Sequence, residues 1–174
     1  MELIRWVDRV FNFEFSASHY PALVERITGT PARLEEILSG LDKDLLLRRD
    51  GSSWSIQEHA GHLIDVEELH EKRLKQFFAN MNILLPADMS NKKTYLEEYN
   101  SKEIKDILSK FREVRSHFIE KLADADDYTI TRAARHPRLN KDMRLVDMIY
   151  FMAEHDDHHL AIIRSLIKNH LKNG

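Results

Sequence analysis

Cysteine is absent from the 174 residues. That removes disulfides, thiolate metal sites and cysteine nucleophiles together. A chain of this length buries roughly 70% of its unfolded surface, so it needs no such staple. The absence leaves the compartment open, and a reducing cytoplasm is compatible with it. Glycine and proline are scarce as well, nine residues between them, against a usual combined share of about 12%. So few breakers favour long helices. A basic excess is also missing: 26 Lys and Arg face 29 Asp and Glu, for a formal charge of −3. This argues against a large nucleic-acid footprint. No run approaches the roughly 18 apolar residues of a membrane span. Glu2, Arg5, Asp8 and Arg9 break up the N-terminal stretch where a secretory signal needs an apolar region. The expectation is a cytoplasmic protein with neither a nucleic acid nor a membrane as partner.

What is present is an ordinary globular balance, 43% hydrophobic and 32% charged residues, sized for one domain over residues 1–174. Residues 1–30 read as a lead-in packed on the main body: Phe11, Phe13 and Phe15 alternate with polar neighbours, and Tyr20-Pro21 opens a short helix that the Gly29 region stops. A first long helix is expected from Thr30-Pro31, a good cap followed by proline, through Leu34, Ile37, Leu38, Leu41 and Leu45. The second spans Ser53 to about Asn82, with Ile56, Leu63, Val66, Leu69, Phe77 and Met81 as its stripe. A proline-containing loop and a short turn near Thr94–Leu96 follow. The third runs from Ser101 to about Ala123, through Ile107, Phe111, Arg115 and Phe118. Residues 124–141 are polar and read as a crossover loop. The fourth runs from about Met143 to Leu171. Four amphipathic helices of this length imply an all-α four-helix bundle with one shared core.

The histidines are the unusual feature. Six of ten fall in two windows: His59, His62 and His70 on the second helix, His155, His158 and His159 on the fourth. At about 100° per residue, His159 lies about 40° from His155, and both sit inside the core-facing stripe; His158 lies on its flank. An i, i+4 pair stacks on one face, close enough to share an ion. Neutral imidazole is the commonest transition-metal ligand. Each ring could instead be a hydrogen-bonded core residue, but two adjacent imidazoles in a core are costly without partners. On the second helix His59 and His62 are about 60° apart and both near the stripe, so periodicity does not choose between them. His70 lies about 12 Å along the axis from His62 and cannot share its ion. Three histidines on two helices leave a fourth position for water, the layout of catalytic zinc sites.

Other candidates are weaker. His155-Asp156-x-x-His159 superficially resembles the H-E-x-x-H zinc motif, but Asp replaces Glu and no β-containing scaffold is expected. Lys92, Lys93, Arg112 and Arg115 are dispersed and read as solvated faces. His136, Arg138 and Arg144, just before the fourth helix, either face an anionic substrate or pair within their own loop; the second reading is preferred.

Two segments carry a family resemblance. Trp54-Ser55-Ile56-Gln57-Glu58-His59-Ala60-Gly61-His62-Leu63 is similar to the second-helix signature of DinB-like proteins, a W-S-x-x-E-x-x-x-H-L pattern ending in a metal-binding histidine that falls on His62. His155-Asp156-Asp157-His158-His159 resembles the family's H-x-x-H-H signature, whose first and last members fall on His155 and His159. The stretch from Glu25 to Leu38 resembles the opening of one branch of the same superfamily. The resemblance implies an up-down-down-up four-helix bundle, a homodimer, and a divalent-metal site, nickel or zinc, held by His62, His155 and His159. Some relatives are transferases or isomerases that use a low-molecular-weight thiol as the metal-bound nucleophile. His70 departs from the bulky aromatic of close relatives and is expected to shape a pocket.

The leading expectation is therefore a metal-dependent enzyme, a thiol S-transferase or a hydrolase, that activates a thiol or water against a small electrophilic substrate. Asp65, Glu58 and Asp156 are candidates for orienting the ligand rings. The alternative is a non-catalytic, metal-stabilised dimeric binding protein of the stress-response kind.

Overall fold

Pro21 and Pro31 each stand in the first turn of a helix, where a missing N–H leaves no bond unmade. They mark α1 (Tyr20–Thr28) and α2 (Thr30–Leu38) of the computed structural model, which describes residues 3–173, with side chains to residue 170. Gly29 between them stays right-handed, with φ −76°, so the chain passes from α1 into α2 without leaving helical space. The first bundle helix thus begins at Tyr20, not at Thr30. It also ends at Leu38, because Gly40 turns the chain at φ +73°. Leu45 falls in a separate turn, α3 (Lys43–Leu47).

Ser55 and Glu58 cap each other reciprocally and open α4 (Ile56–Phe78). A long crossover carrying α5 (Lys92–Leu96) leads to α6 (Ile104–Leu122). The expected loop 124–141 is more ordered than its polarity suggested. It holds α7 (Asp127–Thr131), capped by the Asp126 carboxylate, and strand β1 (Ala133–His136), which pairs antiparallel with β2 (Lys141–Arg144). Strands of four residues are too short for alternation to stand out in a sequence. The last helix, α8, follows directly as Leu145–Asn173, so Met143 and Arg144 belong to β2.

Contacts across the bundle fix the directions. Glu67 meets Arg115 and Glu71 meets Lys121, so α4 and α6 run parallel. His59 meets His159 while His62 neighbours His155, so α8 opposes α4. Phe15 packs on Tyr150 and Arg33 pairs with Asp157, so the first rod runs with α8. The order is up-down-down-up. A parallel neighbour cannot be reached by a tight turn, and the crossover through α5 spans that distance.

The core is split. One apolar cluster holds Ile27, Leu74, Phe77, Phe118, Met148 and Met152; the other holds Leu34, Ile56, Leu63, Phe111, Leu160 and Ile163. Between them each bundle helix contributes polar side chains: Thr30, His62 and Glu67, Arg115, and His155, Asp156 and His159. Arg115 is only 1% exposed, a departure from the solvated face expected for it. Its charge is carried inside because Glu67 and Asp156 neutralise it, at 2.6 and 2.7 Å. The N-terminal stretch is pinned over α8: Lys141 donates to the Phe11 carbonyl, and Arg144 to those of Phe13 and Phe15. No helix among the described residues is long and apolar enough to cross a membrane.

Candidate metal centre

His155 and His159 occupy successive turns of α8, and their Nε2 atoms face each other at 3.2 Å. His62 comes across from α4, its ring centre 5.4 Å from that of His155 and 4.8 Å from that of His159. One nitrogen from each of the three rings lies within 4.8 Å of the others. Sequence periodicity left His59 and His62 open; the structure brings His62 into this cluster and gives His59 a different place. His59 Nδ1 lies 3.0 Å from His159 Nδ1, on the far side of that ring.

The Nδ1 atom of His62 lies 3.0 Å from the Thr94 hydroxyl, which itself donates to Asp65 Oδ2 at 2.8 Å. Tyr99 donates to the other oxygen of Asp65 at 2.8 Å. Asp65 can therefore accept from Thr94 only if the Thr94 oxygen accepts from His62 Nδ1–H. That relay leaves the lone pair of His62 on Nε2, toward the cluster. Thr94 escaped the sequence reading because it sits in a crossover with no periodic signal. Of the expected orienting carboxylates, only Asp65 takes the role. Glu58 is held by the helix cap and by Arg49, and Asp156 bonds Arg115 and Thr30.

Burial, reinforced by neighbouring histidines, holds these rings neutral. It pushes His62 down to about 3 and His59 to about 4, and sets His155 and His159 well below the ordinary value. Neutral rings present lone pairs rather than protons. Two nitrogens held at about 2.0–2.1 Å by one tetrahedral ion stand about 3.3 Å apart, close to the His155–His159 spacing. The donor set and its geometry fit a divalent cation.

A cleft of about 500 Å³ opens onto the cluster. Trp6 and Trp54 wall it, with His158, Val66 and Leu69 nearby. Trp6 packs edge-on against His155 at 4.9 Å, and Trp54 lies 4.8 Å from His62. His70 is not in this lining, against expectation. It is buried beside Phe118, with Nδ1 3.5 Å from Glu67.

An up-down-down-up helical bundle with three buried histidines from two helices, open to a cleft, defines a recognisable class. The family model described as the DinB superfamily matches residues 26–163, and the chain belongs to that superfamily. Among solved structures it is similar to YfiT from Bacillus subtilis, with 19% identity, a TM-score of 0.80, and coverage of 92% of this chain and 93% of that one. YfiT is described as a probable metal-dependent hydrolase with an unusual four-helix bundle topology. At that identity the likeness is one of fold. Comparison with the curated proteins gives no match.

Proposed function

We propose that the protein is a divalent-metal-dependent enzyme in which His62, His155 and His159 hold one cation, with nickel or zinc suited to the all-imidazole donor set. The observation that carries this reading is the meeting of three buried imidazoles that line an open cleft. When bound, the ion lowers the pKa of a coordinated water or thiol and so supplies a nucleophile near neutral pH. The protein's own part is to position and to exclude. Thr94 and Asp65 fix the His62 ring, His59 fixes His159, and the two tryptophans cover the apolar side of the cleft. The cleft suits a small electrophilic molecule, attacked by water in hydrolysis or by a low-molecular-weight thiol in transfer. The hydrolase description of YfiT supports the first and the family resemblance the second. A purely structural metal would leave the cleft without a role.

The test is elemental analysis of the purified protein and of His62→Ala, followed by hydrolysis and thiol-transfer screens with the metal restored. Loss of metal and activity together is expected. Metal kept at wild-type occupancy in His62→Ala overturns the ligand set. Cobalt-substituted protein whose absorption spectrum ignores added thiol and added substrate analogues would favour the non-catalytic reading.

A further inference from the structure

Two arginines are buried through and through, and they differ in one respect. Arg115 has two carboxylates. Arg73, on α4 and only 2% exposed, forms no ion pair among the described residues; its Nε and Nη2 donate to the Leu85 carbonyl at 2.9 and 2.7 Å. Arg138, in the β1–β2 turn, is half-buried and likewise without an ion pair. Its guanidinium lies over the Phe151 ring at 5.7 Å, and its Nη2 is buried with no partner.

His136 completes the group. It is 1% exposed, and its Nδ1 accepts the Leu139 N–H at 3.2 Å. In the neutral ring the proton therefore sits on Nε2, which is buried and makes no hydrogen bond. Burial, then the nearby charges of Arg73 and Arg138, push His136 down to about 4. Burial lowers Arg73 and Arg138 too, Arg73 to about 10, whereas carboxylates raise Arg26, Arg49, Arg112, Arg115 and Arg144. Arg144 is paired, but with Asp147 of α8 at 2.7 Å, and the preferred sequence reading, salt bridges within the loop itself, fails for His136 and Arg138.

Buried donors without acceptors are costly, and two of them, His136 Nε2 and Arg138 Nη2, beside the one Phe151 ring ask for a group that only accepts. An oxyanion does so and also neutralises the two guanidinium charges. Arg138 is reached from outside, lining a cleft of about 420 Å³ with Val7, Val10, Phe11 and Lys141.

We propose that His136 and Arg138, with the Arg73 charge nearby, form a binding site for a small oxyanion, the carboxylate or phosphate group of a ligand. The site adjoins the histidine cluster. Phe151, which lies 5.4 Å from the His136 ring, also packs on Trp6 at 4.8 Å, and Trp6 packs on His155, one helical turn further along α8. On the metal-centred reading above, on which this extension alone rests, the substrate is then a small molecule with an anionic group.

Calorimetric titration of the full chain with inorganic phosphate, and separately with acetate, tests the site in chelator-stripped and zinc-loaded protein. Saturable binding of at least one probe is expected in both forms, and the preferred probe tells phosphate from carboxylate ligands. Arg138→Met is expected to weaken it at least about tenfold, and Arg138→Lys less, since the charge stays and the fork is lost. Circular dichroism and urea unfolding verify that both variants fold. No saturable binding in the wild type, or unchanged affinity in a folded Arg138→Met, overturns the proposal. Binding confined to the zinc-loaded form also overturns it, because the anion would then sit on the ion. The stripped-protein titration stands even if no metal binds, so the two readings fail separately.

Discussion

Arg115 Nη1 donates to the carbonyl oxygen of Ile27 at 2.8 Å, the acceptor that Pro31 cannot serve. In an α-helix the N–H four residues on would fill that carbonyl, and proline has none. The same guanidinium bonds Glu67 on α4 and Asp156 on α8. One side chain thus completes the first helix and ties it to two others. Replacing it strands two buried carboxylates, and Arg115→Met is expected to cost about 3–5 kcal/mol, read as a lowered urea midpoint. Arg115→Lys should not restore the loss, since one ammonium lacks the planar fork. A change under about 1 kcal/mol would contradict this account.

Gly61 lies on α4 where the Tyr99 ring rests directly on its backbone, and a Cβ there would overlap the ring carbons. Tyr99 holds Asp65, which holds Thr94, which holds His62. Gly61→Ala is expected to destabilise the fold by about 1–3 kcal/mol and to weaken metal binding as well, because the displaced ring pulls on that chain of hydrogen bonds. Wild-type metal affinity in a destabilised Gly61→Ala would show that Tyr99 packs without orienting.

Thr94→Val keeps the side-chain volume and removes the hydroxyl. The His62 Nδ1–H then has no acceptor there, and metal affinity should fall by roughly 10–100-fold at unchanged stoichiometry. Competition with a chromogenic chelator measures it. Thr94→Ser, which keeps the hydroxyl, should recover most of the loss.

Acid should unfold the metal-free protein in two stages. Stability rises with pH wherever the unfolded chain binds more protons. Burial lowers His62 to about 3 and His136 and His59 to about 4, so an unfolded chain with ordinary rings takes up protons first as pH falls below about 6.5. The stability gained from neutral rings is lost progressively from there. Burial alone would raise Glu67, yet Arg115 outweighs it and holds the carboxyl at about 2, adding a second loss below about 4.5. Urea midpoints of chelator-treated protein across this range should fall from near neutrality downward; a flat profile between about pH 7 and 5 would refute the assignment of buried neutral rings.

The four long helices, the absence of disulfides and the pairing of His155 with His159 are legible in the chain itself, because each depends on neighbours in sequence. Apolar spacing sets a helix face, and residues four apart share it in any surroundings. The start at Tyr20 was less visible, since Gly29 and Pro31 usually signal an ending, and here Arg115 from a distant helix repairs the break. Periodicity could not separate His59 from His62, which share a face of α4; the resemblance pointed to His62. Its place in the cluster comes from tertiary packing, which sets the rotation of α4 against α8 and delivers Thr94 from the crossover to claim His62 Nδ1. The unpaired state of Arg73, His136 and Arg138 is likewise a tertiary fact. A sequence shows which charges exist, but only the fold shows which of them found a partner.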